Sequence, residues 1–122
     1  PKRLSELAII VIARHWCAQF EWYAHAPEAI EAGVSAEAVE AIRVKTKPEL
    51  SKPDEVLIYG FVSELLETRT VSQKTYQQAE KVLGHRGIVD LVGVVGYYCL
   101  VSATLNVFDM PLPDGEDPPL SP

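Results

Sequence analysis

Cysteine is scarce in this chain: only Cys17 and Cys99 carry a thiol among 122 residues, and they form no Cys-x-x-Cys motif. That argues against a disulfide-stapled scaffold and for a reduced, cytoplasmic setting. The apolar start lacks the charged, apolar, small-residue order of a secretory signal. Basic residues are outnumbered 11 to 17, the net charge is −6, and no Lys/Arg cluster offsets it, so no nucleic-acid partner is expected. There is no Gly-rich phosphate loop and no Gly-x-Ser-x-Gly element. The three His residues are dispersed, with no metal-ligand spacing. Neither a metal nor another cofactor is therefore expected. No run alternates apolar with polar residues, and no Asn-Gly or Asp-Gly hairpin signal is present, which weighs against strands.

What remains is helical. Hydrophobic residues make up 48% of the chain and charged residues 23%, a globular composition of one domain's length. The pattern predicts an all-α, single-domain bundle of about six helices. The first spans about Leu4 to His25, with Leu4, Leu7, Val11 and Trp22 as its core stripe. A short helix opens at Pro27 and stops at Gly33; a third runs from a Ser35 cap to Arg43. A fourth opens at Pro53-Asp54-Glu55 and ends near Thr68, and a fifth runs from a Ser72 cap to Gly84. The sixth covers about Arg86 to Phe108. The helical domain is thus residues 1–110; the proline-rich, acidic segment 111–122 reads as an extended or mobile tail whose removal leaves stability unchanged.

The sixth helix is long enough to cross a bilayer. Asp90 and Asn106 are awkward in lipid, and Gly93, Gly96, Ser102 and Ala103 suit close helix packing. A buried central helix is the favoured reading, with no membrane partner. A single domain of this size struggles to surround it fully, so a homo-oligomer is expected.

Glu21 and His25 are four apart and share one helix face. A carboxylate beside an imidazole orients it and raises its pKa, which suits proton transfer near neutral pH. By spacing alone an ordinary surface pair is the commoner outcome; Trp22 and Tyr23 alongside favour a partly apolar wall.

The stretch from Glu6 through Arg14-His15-Trp16-Cys17 to Glu21-Trp22-Tyr23-Ala24-His25 resembles the signature of the carboxymuconolactone decarboxylase family, whose relatives include the alkylhydroperoxidase D type. The likeness continues in Ala-Gly-Val-Ser at 32–35, in Gly-His-Arg-Gly-Ile-Val-Asp-Leu-Val-Gly at 84–93 and in Gly-Tyr-Tyr at 96–98. It implies an alkylhydroperoxidase D-like fold, a trimer or hexamer, and a further helical segment upstream. The chain opens on Pro1 without an initiating Met, so a longer precursor is expected. The family's peroxidase Cys pair falls here on Ala18 and Glu21, neither of which supports dithiol chemistry.

The resemblance then implies the decarboxylase side: cofactor-free acid–base chemistry on a small carboxylated lactone or related organic acid. His25 would donate or shuttle the proton, Glu21 would orient and tune it, and Glu6 would relay. Arg14 and His15 could take a substrate carboxylate, and Trp22 and Tyr97 could line the pocket. Two alternatives stand beside this reading: an antioxidant peroxidase using Cys17 alone, and a non-enzymatic oligomeric ligand-binding protein. A geometric demand accompanies the acid–base reading. On one straight helix Glu6 and Glu21 would lie about 22 Å apart. The helix must break near Trp16–Cys17, or a neighbouring subunit must supply a partner.

Overall fold

The computed structural model describes residues 1–122 and shows one compact all-α domain of five helices with no strands. They are α1 (Lys2–Trp16), α2 (Gln19–Ala32), α3 (Ala36–Arg43), α4 (Pro53–Thr68) and α5 (Gln73–Val107).

The helix expected to run from Leu4 to His25 is two helices. Cys17 adopts a left-handed conformation (φ 49°, ψ 43°) and ends α1. Its N–H bonds to the Arg14 carbonyl and the Ala18 N–H bonds to the Ala13 carbonyl, the paired bonds of a Schellman cap. The same cap closes α2 at Gly33, where φ is 118° and glycine is the suited residue. Pro27 does not begin a helix; it lies inside α2. Its missing N–H removes one helical bond. Tyr23, Ala24 and Pro27 are all exposed, so water can reach the backbone where that bond is lost.

The other signals fall where the residue types place them. Ser35 accepts from the Ala38 N–H, Ser72 accepts from the Thr75 N–H, and Pro53 opens α4. The two helices expected on either side of Gly84 are continuous by hydrogen bonding, but Gly84 interrupts them with φ 71° and ψ 170°. Only glycine takes that combination readily, which makes it the kink.

The central helix is α1. Ten of its residues are buried, from Leu4 to Arg14, and it packs against all four others. This corrects the expectation for the last helix. Only 22% of the most apolar window of α5 is buried within the chain, although α5 is long and apolar enough to span a bilayer. Val89, Val92, Gly96, Leu100 and Val107 are exposed and recur at steps of three, four and seven, which puts them on one open face. Asn106 Nδ2 donates to the Trp16 carbonyl at 2.8 Å and ties the end of α5 to the end of α1.

The proline-rich segment is non-helical, as its composition requires, but its end is docked. Leu120 is buried in the core. Gln19 grips its backbone twice, Nε2 donating to the Leu120 carbonyl at 2.7 Å and Oε1 accepting from its N–H at 2.9 Å. Arg43 Nη1 donates to the Pro119 carbonyl at 3.0 Å, and Arg14 Nη2 donates to the Ser121 carbonyl. Proline precludes helix here, yet one leucine and the carbonyls around it still find partners. The expectation of a dispensable tail is reversed: Leu120→Ala should cost about 2 kcal/mol. An unchanged urea midpoint would show the segment to be undocked in solution.

Candidate acid–base site

The turn at Cys17 folds α2 back along α1 and brings the two ends of the motif together. His25 Nδ1 lies 2.7 Å from Glu6 Oε2, and His25 Nε2 lies 2.8 Å from Glu21 Oε1. The Glu6 contact joins α1 to α2; the Glu21 contact is made within one turn of α2. The side chains are 21% exposed for His25, 10% for Glu6 and 5% for Glu21. The ring of Tyr98, on α5, stands edge-on to the imidazole with centroids 5.7 Å apart.

This arrangement sets the proton count. A neutral imidazole has one N–H and one lone pair. Between two ionised carboxylates, that lone pair would face an anionic oxygen. The cluster therefore holds either an imidazolium or a carboxyl proton, and imidazolium is the form both partners stabilise. The His25 pKa is raised above its usual 6.5, chiefly by the hydrogen bond to Glu21, against the opposing effect of burial, with Glu6 adding to the rise. The Tyr98 phenol is pushed up by burial and then by the charges of Glu21 and Glu6, so it stays protonated. Glu21 Oε2 is buried and has no hydrogen-bond partner, a second acceptor held at the site in a low dielectric.

The remaining candidates lie elsewhere. Trp22 is buried in the core and offers no surface to a substrate. Tyr97 is exposed and reaches the site only through its edge contact with Tyr98, at 5.0 Å between centroids. The ring that touches His25 is that of Tyr98, the neighbour of Tyr97. Their adjacency signals an aromatic at this point of α5, but only the packing of α5 on α1 and α2 selects which ring faces inward. Arg14 and His15 do not face the His25 cluster. They line a different cavity, with residues of α3, α4 and the turn after α3. Cys17 is at the helix junction, its Sγ 3.8 Å from the Ser121 carbonyl and 3.7 Å from Gln19 Nε2, and both cysteines are free. No group of His, Cys, Asp and Glu has the geometry of a metal site. Glu6, Glu21 and His25 line none of the main cavities of the single chain.

Comparison with known families, with curated proteins and with solved structures found no match to this chain.

Because the folded pKa of His25 is raised, its charged contacts contribute stability fully below the unfolded value near 6.5, and that contribution is lost as pH rises through the folded value. By NMR titration His25 should titrate above 6.5, and Glu21→Gln should lower its pKa more than Glu6→Gln does. Equal or reversed effects would show that Glu21 is not the dominant partner.

Proposed function

We propose that the chain is a carboxymuconolactone decarboxylase-like enzyme that uses Glu6, Glu21 and His25 for cofactor-free acid–base chemistry on a small carboxylated lactone or related organic acid. The observation that carries this reading is the imidazole bonded through both nitrogens to carboxylates from two helices. The sequence resemblance points to the same three residues. Clusters of this kind, in which partial burial opposes the charge, concentrate at functional sites.

In the proposed reaction the bond between the substrate carbon and its carboxylate breaks, and carbon dioxide leaves. The electron pair stays on that carbon, delocalised into the conjugated lactone carbonyl. The imidazolium of His25 delivers its proton there, and a proton from solvent restores it through Glu6. Both ring nitrogens are occupied in the resting cluster, so one contact must open for the imidazole to meet substrate. Glu6 is the more exposed of the two carboxylates and the partner that swings away. Glu21 stays, fixing the ring and holding its pKa high.

The open face of α5 completes the proposal. It takes a second copy of the chain, and the resulting oligomer encloses the His25 cluster on the side of Tyr97 and Tyr98. The apolar stripe favours association, and its glycines allow helices to approach closely. Asp90 and Asn106, on the same helix, suit a protein partner better than lipid.

His25→Gln should abolish turnover of the true substrate in a screen of small carboxylated lactones and keto acids, with the fold retained by circular dichroism. Cys17→Ser should leave turnover intact; loss of peroxide reduction in Cys17→Ser, with His25 dispensable, would favour the thiol peroxidase instead. In sedimentation the wild-type chain should run as a multiple of its 13.5 kDa mass, and Leu100→Glu should release the single chain. A monomeric wild type would remove the oligomer from the proposal.

A further inference from the structure

Arg14 is a buried cation without a counter-ion. Its residue is 7% exposed, yet it takes part in none of the ion pairs of the chain. Nη1 donates to the Arg43 carbonyl at 3.2 Å and Nη2 to the Ser121 carbonyl, both neutral acceptors. Nε is buried and has no partner. The other partly buried arginines are paired: Arg3 with Asp54 and Glu55, and Arg43 with Glu40. A full positive charge held against carbonyl dipoles alone is costly, and an anion is what its surroundings lack.

The same residue lines a cavity of about 300 Å³. His15 and Lys45 also line it, against a single acid, Glu67, so the balance of ionisable groups is locally basic in a chain of net charge −6. Lys45 sits in the left-handed turn that caps α3, with φ 64°, and has no ion-pair partner. Tyr59 and Ser63, from one face of α4, add hydroxyls. Val11, Ile42 and Leu66 form an apolar wall. The volume is at the lower end of small-molecule sites, and the mixture of a few polar groups with hydrocarbon is typical of them. An inorganic anion would leave the apolar wall unused, and a nucleotide would not fit.

We propose that this cavity binds a small organic anion, a carboxylate carried on an apolar body, at a site separate from the His25 cluster. The carboxylate lies toward Arg14 and Lys45, and the body lies on Val11, Ile42 and Leu66. The cavity is built from α1, α3, the turn at 45–46 and α4, whereas the His25 cluster is built from α1, α2 and α5. The two share only α1, on which Glu6 and Arg14 are about 12 Å apart along the axis. This inference does not depend on the decarboxylase reading.

Isothermal titration calorimetry on the full chain tests it, with benzoate as probe and benzamide as its uncharged counterpart. Benzoate should bind saturably and benzamide should not. Lys45→Glu, at an exposed position and expected to fold, should weaken benzoate about tenfold. His25→Gln should leave benzoate binding unchanged. Any one of three results would overturn the proposal: no saturable benzoate binding below about 1 mM, equal binding of benzamide, or affinity unaltered in Lys45→Glu. Loss of binding in His25→Gln would likewise overturn it, by locating the anion at the other cluster.

Discussion

One imidazole held between two carboxylates is the interaction on which the functional reading turns, and it exists because the chain reverses at Cys17. On a continuous helix, Glu6 and His25 would be separated by nineteen residues of rise. The αL turn converts that separation into a 2.7 Å contact between antiparallel neighbours. A non-glycine residue in this conformation is strained by roughly 1 kcal/mol or more. The two cap bonds at Arg14 and Ala13 and the packing of α2 along α1 offset that strain. Once the two helices are antiparallel, the proton count of the cluster follows, because an imidazole between two anions cannot present a lone pair to either.

The distribution of apolar surface explains the architecture around this hairpin. Between Leu4 and Arg14, α1 is almost wholly enclosed, so the hydrophobic residues there are satisfied within the chain. α5 is 35 residues long and can rest only one side on α1, α2 and α4. Its remaining apolar stripe is left facing outward. A central helix and a peripheral helix can both be rich in apolar residues; the number of neighbours available in one chain of this length separates them.

α1 also divides the two sites. Its N-terminal half presents Glu6 toward α2, and its C-terminal end presents Arg14 and His15 toward α3 and α4. The C-terminal segment ties together the helix ends near Arg14. Gln19 at the start of α2, Arg14 at the end of α1 and Arg43 at the end of α3 all bond to carbonyls of residues 119–121. A segment without secondary structure thus pins three helix ends around the Cys17 turn, and Leu120 supplies the apolar anchor.

The amino-acid sequence by itself determined the helical class, the caps at Ser35 and Ser72, the opening of α4 at Pro53 and the interruption at Gly84. These are local effects, settled by a side-chain oxygen, a locked φ or a missing Cβ within a few residues. It also paired Glu21 with His25 by their spacing, while Glu6 was singled out only through the resemblance of the stretch from Glu6 to His25 to a family signature. Local propensity did not mark the break at Cys17, where no glycine or proline stands; only the demand that Glu6 reach the Glu21–His25 pair pointed to it, with a neighbouring subunit as the other option. Nor did the sequence reveal the continuity of α2 through Pro27. Tertiary structure alone decided that α1 is central and α5 peripheral, that Leu120 docks, that Trp22 is core, and that Tyr98 rather than Tyr97 meets the imidazole. It also turned Arg14 away from His25 and into its own cavity. Each of these depends on which face of one helix meets another, and that is chosen by the summed burial of the whole chain, which no local window contains.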